Sequence, residues 1–186
     1  MRSWVPRRPH EEAQSRASTR IPCHGLKDVR IITAQTREHL EAAAALFIEY
    51  AASLTFSLEY QGFTEELRAL PGRYAAPEGC ILLALAAGEA VGCVAARPLA
   101  GPGQTCEMKR LYVRPAMRGA GVGRMLCEEL LRRAQSMGYQ RMKLDTSSDM
   151  PAAVGLYRSL GFAPCERYNN DPMPDTLYFE RALSEA

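Results

Sequence analysis

Apolar side chains recur at Val122, Leu126, Leu130 and Ala134, every fourth position, with charged residues filling most of the gaps. That period is the buried stripe of a helix running to Met137, and Gly138 supplies its stop. The preceding stretch, Glu107-Met108-Lys109-Arg110-Leu111-Tyr112-Val113, is rich in branched and aromatic residues and predicts a strand over 105–113. Upstream, Val29–Ile32 predicts a short strand, and Thr36 caps a helix extending to about Ala52. Phe63–Leu67 predicts a short capped helix ended by Leu70-Pro71-Gly72. Cys80–Ala86 is a near-continuous apolar run, and Val91–Pro98 is its hairpin partner around Gly88-Glu89. Gly101-Pro102-Gly103 turns the chain again. Downstream, Met142–Thr146 predicts a strand, and Ser147, Ser148 or Asp149 caps a helix with Pro151 in its first turn and Gly161 at its end. Phe162–Tyr168 and Thr176–Arg181 predict two last strands around a proline-rich loop at 172–174. This order predicts one α/β domain, a mixed central sheet with helices on both faces.

Three glycines stand between the 105–113 strand and the helix behind it, in Arg118-Gly119-Ala120-Gly121-Val122-Gly123. The first amides of a helix have no carbonyl partner within it and lie at the positive end of its dipole. Glycines let a diphosphate approach those amides, and Arg118 and Arg124 add charge. A dinucleotide fingerprint needs Gly-x-Gly-x-x-Gly and an acidic residue about 20 positions on. Here the glycines are one residue too tight, although Asp145 stands at about the right distance. A Walker loop needs Gly-Lys-Ser/Thr, and Gly123-Arg124-Met125 is not that.

Arg/Gln-x-x-Gly-x-Gly/Ala does fit, at Arg118, Gly121 and Gly123. With Leu-Tyr-Val-x-Pro at 111–115 and Leu156-Tyr157-x-x-x-Gly161-Phe162, in that order, the chain resembles the GNAT superfamily of acetyl-CoA-dependent N-acetyltransferases over residues 105–165. The resemblance implies a GNAT-like fold with a mostly antiparallel sheet, and acetyl-CoA as co-substrate. It implies a cofactor site at Leu111, Tyr112, Val113, Arg118, Gly119, Ala120, Gly121, Val122, Gly123 and Arg124. The strand before the loop would bulge and splay from its neighbour, so that the backbone of Leu111 faces the acetyl carbonyl and that of Val113 the pantetheine arm.

Forming an amide from a thioester also needs a group to take the amine's proton and a group to protonate the departing thiolate. Glu107 lies four residues before Leu111, where the histone-acetylating branch carries its catalytic glutamate; it could equally be a strand-edge carboxylate paired with Lys109 or Arg141. Asp145, on the next strand, is the reserve base. Tyr157 matches the family's general-acid tyrosine, or else fills the gap between helix and sheet. Ala152, five residues earlier, departs from the family's frequent asparagine.

At 186 residues the chain suits a single domain, expected over 28–186 behind a flexible leader at 1–27. Lys plus Arg number 23 and Asp plus Glu 21, a net charge of +2 that argues against a nucleic-acid binder. Six scattered cysteines without a Cys-x-x-Cys pair, and histidines far from the core cysteines in sequence, predict no metal site and a reduced, cytoplasmic protein. No apolar run is long enough for a membrane span. The expected partner is a small-molecule primary amine of unspecified identity, and the chain is a monomer or homodimer. Tyr50, Phe56, Phe63, Tyr74, Arg97 and Tyr168 are candidate lining for its pocket. Two alternatives are a protein lysine or N-terminal acetyltransferase, and a sensor that binds acetyl-CoA without turnover.

Overall fold

The computed structural model describes residues 28–100 and 104–183. The leader expected at 1–27 and the turn expected at Gly101-Pro102-Gly103 lie outside the described residues. Seven strands form one sheet: β1 (Arg30–Thr33), β2 (Cys80–Ala86), β3 (Glu89–Pro98), β4 (Thr105–Val113), β5 (Arg141–Ser147), β6 (Ala163–Pro164) and β7 (Thr176–Ala182). Their order is β1-β2-β3-β4-β5-β7-β6, antiparallel throughout except for β4 beside β5. Helices α1 (Arg37–Ala52) and α2 (Phe63–Arg68) cover one face, and α3 (Val122–Ser136) and α4 (Pro151–Ser159) the other. The predicted α/β fold class, a mixed and mostly antiparallel sheet between helices, is the one observed.

Each face has its own core. Leu82, Ala84, Val94 and Ala96 meet Leu126 and Leu130 of α3, while the intervening Ile81, Leu83, Cys93 and Ala95 meet Leu46 and Phe47 of α1. The period of two in the strands thus serves both layers. Val122, Leu126, Leu130 and Ala134 are fully buried, and each of the leucines contributes roughly 1.5–3 kcal/mol by leaving water. Thr36 caps α1 as predicted, accepting from the His39 amide.

Local chemistry shifts several predicted boundaries. The β2–β3 turn is Ala87-Gly88, with φ of 50° and 85°, and Glu89 already belongs to β3. Two consecutive left-handed residues match the twist of a hairpin, so the turn moves back by one. Helix α2 begins after Gly62 with no side-chain cap; Thr64 sits inside it and donates to Glu59 Oε1 at 2.6 Å. Helix α4 starts after Met150, and none of Ser147, Ser148 or Asp149 caps it. The strand predicted over Phe162–Tyr168 shrinks to Ala163–Pro164, with one further bond from the Cys165 amide to the Tyr178 carbonyl at 3.0 Å.

Two irregularities in β4 shape the middle of the sheet. Ala95 faces Lys109 and Cys93 faces Tyr112, so two steps on β3 oppose three on β4. That extra residue is a bulge at Arg110, whose φ is 59°. It reverses the strand's faces: Met108 packs against the α3 side, and Tyr112, four residues on, packs against the α1 side. In addition, β4 pairs with β5 only over Thr105–Glu107 and Arg141–Lys143, while β5 stays paired with β7 through Ser147. Beyond Glu107 the two parallel strands part, and a cleft opens between them.

Candidate active site

The glycine loop lies at one end of that cleft. Gly119 and Gly121 have φ of 76° and 81°, and a Cβ on either would meet no protein atom within 4 Å. Both adopt a backbone that favours glycine and leave empty space above it. Gly121 is the N-cap of α3, and no side chain caps that helix, so its first amides are left for an anion. Gly123 differs: a Cβ there would make ordinary van der Waals contact with Leu156 at 3.5 Å and Val113 at 3.8 Å. Arg118 donates from Nε to the Val113 carbonyl at 3.0 Å, and Arg124 donates from Nη2 to Ser159 Oγ at 2.7 Å. Both border a groove of about 720 Å³ whose floor includes Leu111, Tyr112, Val113, Gly119, Gly121, Val122 and Gly123. Ala120 does not line it and packs against the core instead. Ala152 does line it and offers no polar group.

A second, smaller cavity of about 120 Å³ continues the cleft on the far side of Leu111. Tyr50, Phe56, Leu111, Met150 and Ala153 border both spaces, so the groove and the cavity meet where β4 has lost its partner. Leu58, Tyr60 and Gln61, from the loop between α1 and α2, close one side of the cavity. Lys109 and Arg110 of β4, Asp145 of β5, Tyr157 of α4, and Asp171 and Asp175 of the loop before β7 form the rest.

Behind that cavity, β4 carries charges that a central strand rarely tolerates. Glu107, Lys109 and Arg110 are 2%, 7% and 5% exposed, and each is paired. Glu107 accepts from Arg97 Nε at 2.9 Å and from the Tyr168 hydroxyl at 3.0 Å, and it lies 3.2 Å from Lys109 Nζ. Lys109 also reaches Asp145 at 2.5 Å, and Tyr168 sits 3.3 Å from the same carboxylate. Arg110 takes Glu66 in a two-pronged pair at 2.7 and 3.0 Å, donates to Gln61, and stacks on Phe63. Arg97 closes the chain with a 3.7 Å contact to Glu66. Three cations and three carboxylates therefore neutralise one another, as buried charges require. Glu107 borders neither cavity; Asp145 is the carboxylate of this group that does.

The model of the Acetyltransferase (GNAT) family matches residues 43–162, a span running from α1 through the glycine loop to Phe162. The chain belongs to that family. An N-acetyltransferase of Schizosaccharomyces pombe is 36% identical over 159 residues, covering 85% of this chain and 97% of its own. A GNAT-family acetyltransferase of Staphylococcus aureus superposes with a TM-score of 0.70 at 18% identity, covering 84% and 99% of the two chains. A Salmonella typhimurium protein solved with its cofactor acetyl-CoA gives 0.60 at 22% identity, with coverage of 85% and 95%. These two likenesses speak to the fold.

In this GNAT acetyltransferase Tyr157 is 6% exposed, packs edge-on against Phe162 at 6.0 Å, and turns toward the smaller cavity. Burial holds its phenol pKa well above the ordinary value. Leu156 and Leu160 pack beside it in the α3-side core. Of the candidate pocket residues, Tyr50 and Phe56 line the cavity, Phe63 and Tyr74 belong to the α1-side core, and Arg97 and Tyr168 are bound up with Glu107. The sequence reading missed Tyr60, Gln61 and Asp171, which stand in irregular segments without periodicity and meet only through the fold. Among the described residues no cluster of His, Cys, Asp and Glu could hold a metal ion, and no helix is long and apolar enough to cross a membrane.

Proposed function

We propose that this enzyme, with residues 28–186 as its transferase domain, moves an acetyl group from acetyl-CoA to the primary amine of a small molecule by direct attack in a ternary complex. The observation that carries this reading is the meeting, at Leu111, of an anion-ready groove and an enclosed acid-bearing cavity. The groove suits the cofactor because Gly119 and Gly121 leave open space where side chains would stand, beside an uncapped helix and two arginines. The amides from Gly119 through Arg124, with Arg118 and Arg124, would hold the diphosphate, and Tyr112 and Val113 would flank the pantetheine arm. Bound there, acetyl-CoA supplies an acyl group already activated as a thioester. The backbone of Leu111, on the unpaired edge of β4, would polarise the carbonyl, which a fixed dipole does without reorganising.

Asp145 borders the cavity and is our candidate to take the amine's proton. Glu107, one layer back, would act as a positioning residue through Lys109 and Tyr168. Tyr157, kept protonated by burial, would give its proton to the departing sulfur. A volume of about 120 Å³ closed off by Phe56, Leu58 and Tyr60 favours a small acceptor. The free buried thiols of Cys80, Cys93, Cys106 and Cys127 suit a reducing compartment, and we propose the cytoplasm. Thiol release from acetyl-CoA against a panel of amines, with product mass as the second readout, tests the reading. Amine-dependent release is expected; acetyl-CoA binding without release for any amine would make the protein a sensor.

A further inference from the structure

Asp171 is 6% exposed and borders the smaller cavity, yet among the described residues no Lys, Arg or His nitrogen lies within salt-bridge distance of its carboxylate. Its partners are neutral: Oδ2 accepts from the Tyr60 hydroxyl at 2.9 Å and Oδ1 from the Met173 amide at 2.8 Å. Arg167, on the same loop, donates instead to the backbone carbonyls of Asn169 and Asp171, and Lys109 and Arg110 of the cavity wall are taken up by Asp145 and Glu66. Every other buried carboxylate of the site has its cation: Glu66 has Arg110, Glu107 has Arg97, and Asp145 has Lys109. Each carboxylate oxygen can accept more than one hydrogen bond, so Asp171 keeps capacity facing the cavity. A buried carboxylate is costly without a counter-charge, and the described residues place none within salt-bridge distance of this one.

We propose that Asp171 binds a second, permanently protonated nitrogen of the acceptor, so that the substrate class is a short aliphatic diamine or a larger amine bearing such a group. This rests on the proposed transfer to a small amine. The two carboxylates divide the work by their surroundings. The reacting nitrogen must give up its proton, and an unneutralised carboxylate beside it would hold that proton in place. Asp145, already paired with Lys109, avoids that trap and suits the reacting end. Asp171 has no such partner and suits a nitrogen that stays charged. Phe56, Leu58, Met108 and Met173 give the space between them apolar wall for methylene groups. Asp149 and Asp175, exposed and also bordering the cavity, add a negative potential that draws a dication inward.

The test compares pentylamine, its α,ω-diamine and its ω-amino acid as acceptors for the full chain, with acetyl-CoA in excess. The diamine is expected to exceed the monoamine in kcat/KM by roughly 30–100-fold, mostly through KM, as for a desolvated charge pair. The amino acid, which brings a carboxylate to Asp171, should be the poorest. Asp171→Asn keeps the shape and one acceptor oxygen; it should bring the diamine's kcat/KM down to the monoamine's, with acetyl-CoA binding and melting temperature near those of the wild type. The melting temperature reports that the variant is folded, and if it is not, the wild-type contrast decides alone. Equal kcat/KM for monoamine and diamine in the wild type, or an unchanged preference in Asp171→Asn, overturns this inference and leaves amine acetylation standing. An acetyl-CoA-binding wild type that acetylates none of the three overturns the inference, and silence across the wider amine panel removes the proposed function as well.

Discussion

A phenol can act as an acid only while it holds its proton. Tyr157 is buried between α4 and the sheet, and burial raises its pKa well above 10, so it stays protonated across any practical assay range. Tyr157→Phe removes the hydroxyl and keeps the ring against Phe162. Turnover should fall by about one to three decades, with acetyl-CoA affinity and melting temperature little changed. Because deprotonation requires a pH above the raised value, wild-type turnover should show no loss from this residue as pH climbs toward 10. Normal turnover with a lowered melting temperature would make Tyr157 a core aromatic, the alternative its sequence position leaves open. Residue identity alone could not separate these readings, since Leu-Tyr-x-x-x-Gly-Phe is the same string either way. Asp171 shows the converse. Nothing in Asn169-Asn170-Asp171-Pro172 marks it out, because its meaning lies in a hydrogen bond from Tyr60, 111 positions away, and in the cation it lacks.

At the scale of elements, legibility follows how local the cause is. Helix α3 could be read to within a residue because its apolar period lies within it and its glycine entry and the Gly138 stop lie directly beside it. Strand β6 could not, because Phe162–Tyr168 is consistent with a strand and only the placement of β7 decides how far it pairs. The bulge in β4 is likewise a tertiary fact, expressed as a change of face between Met108 and Tyr112. The glycine loop sits at the boundary between these cases, and a matched pair of substitutions probes it. Gly121 at the start of α3 and Gly138 at its end have φ of 81° and 85°, and neither has a protein atom within 4 Å of where a Cβ would sit. Gly121→Ala and Gly138→Ala should therefore cost similar stability, about 1–2 kcal/mol of left-handed strain. Only Gly121→Ala should also weaken acetyl-CoA binding in calorimetric titration, because only there would the methyl group meet the diphosphate. Equal affinity in both variants would remove the loop from the cofactor site.

Across the whole molecule, one neutral network joins parts of the chain that are far apart. Glu66 on α2, Arg97 on β3, Glu107, Lys109 and Arg110 on β4, Asp145 on β5 and Tyr168 in the C-terminal loop are linked through contacts of 2.5 to 3.7 Å. The fold thereby ties the surroundings of the smaller cavity to the strand that carries Leu111. Glu107 is the hub, touching Arg97, Lys109 and Tyr168 at once. Glu107→Gln leaves its volume in place but removes one of three negative charges, stranding a buried cation. Breaking a buried pair in this way costs about 3–5 kcal/mol. For a chain of this size each kcal/mol lowers the melting temperature by about 2–4 °C, so a loss on the order of 10 °C is expected. Turnover should fall too, since Lys109 and Tyr168 would no longer hold Asp145 in position. The decisive readout is the pH profile of the remaining activity, measured well below the lowered melting temperature. If Glu107 positions, the variant's profile runs parallel to the wild type's, because the amine still gives its proton to Asp145. If Glu107 itself takes the proton, the deficit shrinks as pH rises and more amine arrives deprotonated, with the same loss of melting temperature. The full pairing of Glu107 and its absence from the cavity wall favour the first outcome.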